Sequence, residues 1–251
     1  MIKVALLVEY DGSGYHGFQV QPGLRTVQRE LEAAVAQVSG ERVKVAAASR
    51  TDAGVHAKGQ VVTFATTSTL RPQTWVSALN HYLPPQVAVK GGQWMPEDFD
   101  ARRAAVRREY RYLVYNSPRP SPLEKERAHW VAQPLDMDRM NQACQALIGC
   151  HNFAAFASPG PSSPVRLVYD AGMGRCGEEV TFDMAASSFL PHQVRRTAGA
   201  LVEVGRGRME VEAFHRLVRC PQRGAAGPSL PPWGLYLTKV TYPDSLVGEW
   251  Q

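Results

Sequence analysis

The sequence predicts an α+β fold: two ferredoxin-like, or RNP-like, subdomains with antiparallel sheets. Three observations carry this. The first hundred residues read β-α-β-β-α-β, the split βαβ order, with helices on one face of the sheet. The second half repeats a sheet-plus-helices layout without visible sequence repetition. The 251 residues, 44% hydrophobic and 20% charged, are enough for one large domain or two ordinary ones with a buried core. The expected boundary divides 1–103, carrying a loop centred on Asp52, from 104–251.

Residues 2–10 alternate weakly and read as a strand. Gly12-Ser13-Gly14-Tyr15-His16-Gly17 follows, a literal G-x-G-x-x-G. A dinucleotide fold would start its helix at that loop, with its amides on a pyrophosphate, and end its second strand on an acid. Pro22 and Gly23 intervene, and Ser49 and Arg50 stand where the acid belongs, so the pattern argues against a nucleotide site. Thr26 is the expected N-cap, its side chain bonding the free amides of the first turn. Val27, Leu31, Ala34, Val35 and Val38 form the apolar face of that helix. Strands over 43–47 and 60–64 flank the Asp52 loop. Pro72 opens a second helix with Trp75, Leu79 and Leu83 inward, ended by Pro84-Pro85, and a strand covers 86–90.

Arg107–Tyr115 alternates strongly: Tyr110, Tyr112 and Val114 share one face, Arg111, Leu113 and Tyr115 the other. The Pro-rich residues 117–134 read as a surface loop. Asp136 caps a helix over 137–148, with Met137, Met140, Cys144, Leu147 and Ile148 inward. A loop over 157–164 leads into strands at 165–173 and 178–185. A helix over 188–201 keeps Pro191 in its first turn and lays Val194, Ala198, Leu201 and Val202 along one stripe, with Arg195 at its edge. A helix at 210–219 and a strand at 233–242 complete the pattern.

No apolar run is long enough to span a bilayer, and Met1–Val8 is too short for a signal peptide, so the cytoplasm is the expected location. The four cysteines form no C-x-x-C pair and the seven histidines no H-x-x-x-H spacing; free thiols and no metal site are expected. The net charge of +5 favours an anionic partner. Of the 28 basic residues 22 are arginine, which grips phosphate with paired hydrogen bonds and stacks on bases. A codon bias would give the same count. However, Arg102, Arg103, Arg107, Arg108 and Arg111 fall within ten residues, interleaved with Tyr110 and Tyr112, and that mixture fits a nucleic-acid surface.

Asp52-Ala53-Gly54 suits an ordinary turn, where Asp and Gly serve the backbone. Spacing alone favours that turn; the sharper reading is a carboxylate held beside Arg50 and Thr51 at a strand end, with its ionised form and its direction fixed by them. The gapless run Arg50-Thr51-Asp52-Ala53-Gly54-Val55-His56-Ala57 resembles the signature of the tRNA pseudouridine synthase A family, with Ser49 where Gly is usual. In that family the aspartate is the catalytic nucleophile. Glu9–Gly12 and Gly17–Pro22 are similar to its N-terminal loop, which contacts RNA. Arg108-Glu109-Tyr110-Arg111-Tyr112 resembles the motif that supplies an active-site tyrosine, here Tyr110. Gly149–Phe156 matches a motif that more often has Asp at Asn152. The arginine after Val194, Arg195, matches the one that pairs with the aspartate, although Pro191 and Gln193 replace Tyr and Met. Leu235, after Gly234, matches a leucine that lines the base pocket.

The resemblance covers nearly the whole chain. It implies the pseudouridine synthase fold, with two subdomains around a central basic cleft. The implied activity is isomerisation of uridine to pseudouridine in the anticodon stem-loop of tRNA, at positions 38, 39 and 40, by a homodimer. Atoms are conserved in that reaction, so no cofactor or metal is expected. The implied catalytic residues are Asp52, Tyr110 and Arg195; Arg50, Tyr110 and Leu235 would bind the nucleotide, and the five clustered arginines the RNA. Two other classes remain. A non-catalytic RNA-binding module would bind tRNA and form no pseudouridine. A retaining glycosidase-like hydrolase needs two carboxylates about 5 Å apart and would release free base.

Overall fold

The computed structural model describes residues 2–158, 163–244, 246 and 250; part of the loop expected over 157–164 thus lies outside the described residues. The chain forms two compact units, Met1–Arg108 with Leu237–Gln251, and Glu109–Tyr236. The elements are β1 (Ile2–Tyr10), α1 (Val27–Ser39), β2 (Ala46–Ala47), β3 (His56–Thr66), α2 (Pro72–Tyr82), β4 (Val87–Met95) and β5 (Arg107–Asn116). They continue with β6 (His129–Val131), α3 (Met137–Gln145), β7 (Gly149–Asn152), β8 (Val165–Cys176), β9 (Glu179–Ala186), α4 (Gln193–Gly205), α5 (Val211–Arg219) and β10 (Leu235–Thr241). The protein is α+β, as its sequence pattern predicts.

In the first unit the strands run β4-β1-β3-β10, with β2 also on β3. β1 is flanked on both sides by antiparallel partners, Val4 facing Phe64 and Trp94. That central place explains its buried run Val4, Ala5, Leu6 and Val8. Trp75 of α2 meets Phe64 edge-on at 5.1 Å and fixes this helix on the sheet. α2 stops at Tyr82 because Leu83 precedes a proline and takes an extended backbone. The expected strand over 43–47 shortens to Ala46–Ala47. Carboxylates take backbone donors here: Val45 N donates to Glu32 Oε1 at 3.0 Å, and Thr67 N to Glu41 Oε1 at 3.1 Å. On α1, Val27, Leu31, Ala34 and Val35 are buried as expected, while Val38 is only half-buried.

In the second unit the order is β5-β9-β8-β7. β5 alternates as its sequence predicts, burying Tyr110, Tyr112 and Val114. The Pro-rich stretch is more ordered than expected, since β6 pairs with β5 in parallel, Val114 facing His129. Asn116 makes that join, its side-chain amide donating to Val131 O and Gln133 O at 2.9 and 2.7 Å. Asp136 caps α3 by accepting from Arg139 N at 3.0 Å. α3 ends at Gln145, earlier than expected, in tight turns that close Ala146 N on Ala143 O and Leu147 N on Cys144 O. This leaves Ile148 exposed. Burial holds the Cys144 thiol up at about 12, so the sulfur packs as an apolar atom.

Removing the α3 cap by Asp136→Ala is expected to cost about 1 kcal/mol, read as a lower urea midpoint with an unchanged slope.

Candidate active site

Asp52 lies in the turn that leads into β3, and a second loop built from residues 12–18 supports this turn from the side. The two loops meet backbone to backbone. A Cβ on Gly12 would fall 2.0 Å from Val55 O, and one on Gly17 would fall 2.7 Å from Thr51 O, with Gly17 at φ +85°. Only glycine fits at either position. Phe18 N donates to Thr51 O at 3.1 Å, Gly54 N to Tyr15 O at 3.1 Å, and Gly12 N to His56 Nδ1 at 3.1 Å.

The other side of the same loop caps the start of α1. Val27 N and Gln28 N donate to Gly17 O and Phe18 O at 3.3 and 2.9 Å. Thr26 therefore does not cap through its side chain as expected; its hydroxyl oxygen is buried and makes no hydrogen bond. These first amides, which a pyrophosphate would need, are occupied by the chain itself, which removes the nucleotide reading of the G-x-G-x-x-G.

Beneath the Asp52 turn lies a layer of buried polar side chains. Gln60 accepts from Ser49 N at 3.2 Å and donates to Ser49 O at 2.7 Å. Tyr10 and Thr51 join hydroxyls at 2.7 Å. Ala48 N donates to Val61 O at 2.8 Å, and Ala48 O accepts from the Arg108 guanidinium at 3.3 Å. Arg50 is exposed and Asp52 partly exposed, while Ala48 and Thr51 are buried. The turn thus buries the Thr51 hydroxyl and leaves Arg50 exposed, with Asp52 between the two.

The clustered arginines separate into different jobs. Arg102 and Arg103 are exposed, at the head of a turn where Asp100 Oδ1 accepts both of their amides, at 2.8 and 2.9 Å. Those bonds, that from the Arg103 amide foremost, hold the Asp100 carboxyl below the usual carboxylate range. Arg107 is half-buried. Arg108 departs from the surface role expected of it: it is 6% exposed and donates to the carbonyls of Ala105, Ala48 and Arg102. Arg111 grips Asp183 with two bonds, at 2.7 and 3.1 Å, which neutralises its charge locally.

Tyr110, Arg195 and Leu235 belong to the second unit. Tyr110 is buried and meets Phe189 edge-on at 5.0 Å. Tyr112 Oη donates to Pro231 O at 2.8 Å, and burial raises its pKa. Arg195 and Leu230 bond reciprocally, the guanidinium Nε to Leu230 O at 2.8 Å and Leu230 N to Arg195 O at 3.2 Å. Arg196 holds Gly227 O at 2.6 Å, so α4 carries the strap 227–231 on two adjacent arginines. Leu235, just beyond, is buried.

α4 itself starts at Gln193, five residues later than expected. Pro191 lies outside it, because His192 adopts a left-handed backbone, φ +61°, and a helix cannot run through that. Gln193 folds back to accept from Leu190 N at 2.8 Å, and Ser158 Oγ bonds His192 Nδ1 at 2.8 Å.

The expected site residues thus divide between the units, with Arg50 and Asp52 in the first and Tyr110, Arg195 and Leu235 in the second. Sequence reasoning missed Gln60, Tyr10 and the bracing role of Arg108. The one available signal was a glutamine within an otherwise apolar strand, where burial demands a partner.

Gly17→Ala is expected to cost about 2 kcal/mol or more, through left-handed strain and a displaced Thr51 carbonyl, read by chemical denaturation. Asp100 ionises at lower pH in the fold than in the unfolded chain. Its contribution is therefore complete above about pH 4, near the unfolded value, and fades as the pH falls through the folded one. The stability gap between wild type and Asp100→Asn is expected to narrow on acidification to about pH 3, measured by urea titration at each pH.

Residues 6–102 and 143–243 match the profile of a family described as tRNA pseudouridine synthase. The chain is 44% identical over 246 residues to a protein named tRNA pseudouridine synthase A from Methylacidiphilum infernorum, covering 97% of this chain and 96% of that one. It is 43% identical over 244 residues to the protein of that name from Neisseria meningitidis serogroup B, covering 96% and 92%. With the one from Acetivibrio thermocellus the identity is 40% over 244 residues, covering 96% and 100%. At this likeness, over nearly its full length, the chain belongs to the tRNA pseudouridine synthase family.

Proposed function

We propose that this chain isomerises uridine to pseudouridine in tRNA, with Asp52 as the nucleophile. The observation that carries the reading is the run Arg50–Ala57, with Gln60 holding the backbone of Ser49 just before it and Tyr10 holding the Thr51 hydroxyl, while Asp52 is partly exposed. A nucleophile needs its direction set before substrate arrives, and a braced turn supplies that.

In the reaction the N1–C1′ bond breaks, the base turns, and C5 joins C1′. C5 loses a proton and N1 gains one, so nothing is oxidised or reduced. Turnover depends further on Tyr110 and Arg195, and Arg50 and Leu235 hold the nucleotide. A base stacked in RNA must be extruded, at a cost of a few kcal/mol. Exposed Arg102 and Arg103, with Arg107, offset this through phosphate contacts. We place the targets at positions 38, 39 and 40 of the anticodon stem-loop and the enzyme in the cytoplasm as a homodimer. No helix among the described residues is long and apolar enough to cross a membrane.

The test is release of the C5 hydrogen from tRNA labelled in its uridines, with the modified positions mapped. Wild type is expected to release label and Asp52→Asn to lose at least about 1000-fold in rate. Normal turnover by Asp52→Asn would remove the aspartate from the mechanism. Binding of tRNA without release of label would make the chain a binding module, and free uracil a hydrolase.

A further inference from the structure

We propose that Gln60, with Tyr10 behind it, is a positioning residue that sets the direction of Asp52; this rests on the reading of Asp52 as nucleophile. Gln60 lies on β3 and is 0% exposed. Its amide acts as a piece of backbone: Oε1 accepts from Ser49 N at 3.2 Å and Nε2 donates to Ser49 O at 2.7 Å. That is the two-way exchange a neighbouring strand residue would make. Nε2 also lies 3.4 Å from Tyr10 Oη, which meets Thr51 Oγ1 at 2.7 Å.

One buried amide thus fixes the peptide at 49 and, through a phenol, the hydroxyl at 51. Of the residues beside them, Arg50 is exposed and Asp52 is half-buried. β2 ends at Ala47, two residues before Ser49. The role needs a donor and an acceptor in one rigid plane. Glutamine offers both, ionised glutamate offers only acceptors, and methionine offers neither.

This chemistry separates positioning from mere filling of space. Gln60→Glu keeps the shape and, when protonated, keeps a donor; when ionised it turns an acceptor on Ser49 O. Burial raises a carboxyl pKa towards neutrality. We expect kcat of Gln60→Glu to fall about 10- to 100-fold near neutral pH, as a displaced nucleophile would, with KM for tRNA within about twofold of wild type. The ratio of its kcat to that of wild type should then rise as the pH is lowered from about 8 to about 6. Gln60→Met should show the same loss with a flat ratio. A flat ratio for Gln60→Glu, or a loss confined to KM, overturns the proposal. Should the Gln60 variants fail to fold, Tyr10→Phe decides: it removes one hydroxyl, and turnover equal to wild type overturns the proposal, while a fall in kcat at constant KM supports it. Asp52→Asn is run alongside. If it is inactive while Gln60→Glu and Tyr10→Phe turn over like wild type, the positioning role alone falls; if it is active, the reading of the site falls first.

Discussion

One short loop, residues 12–18, supplies hydrogen bonds in two directions, and the placement of Asp52 depends on it. Towards α1 it presents the carbonyls of Gly17 and Phe18, which occupy the helix's first amides. Towards the 51–55 turn it presents the amide of Phe18 and the carbonyl of Tyr15. Each group would otherwise be a buried, unmet backbone polar atom. The two sets of bonds are compatible only because Gly12 and Gly17 let main chain touch main chain. A helix terminus, a loop and the Asp52 turn are therefore joined by main-chain hydrogen bonds.

Much of this was legible from residue order. Strand alternation in β5, the proline start of α2, the Asp136 cap and the βαββαβ order all follow from local rules, and local rules are what a sequence states directly. The departures share a cause: a distant group reached the local one first. Thr26 has a cap's composition, but carbonyls nine and eight residues earlier in the chain meet the amides it would have served. Residues 43–45 have a strand's composition, but Glu32 takes the Val45 amide and Glu41 the Thr67 amide. Pro191 is tolerable in a first turn, but the left-handed His192 postpones the helix. None of these competitors can be weighed without the fold.

Arginine shows the same limit at the site. A run of five in ten residues reads as one basic surface. In space it is a set of unlike groups, one buried among carbonyls and one locked to a carboxylate beside outward-facing members. Burying a guanidinium costs several kcal/mol unless its donors are met, and backbone carbonyls meet them here. Arg195 and Arg196 repeat the device on α4, where they hold a strap by its carbonyls. Arginine abundance in this chain therefore reflects internal fastening as well as any attraction to an anion.

Residues 12–19 divide between buried and exposed positions. Gly12, Tyr15, Gly17 and Phe18 are buried, whereas Ser13, Gly14, His16 and Gln19 face outward. Because the Asp52 turn leans on main-chain atoms of this loop, the outward side chains make none of the bonds that hold it. Replacing the side chain of Ser13, His16 or Gln19 would thus change what this rim presents to solvent and leave the main-chain bonds to the Asp52 turn in place.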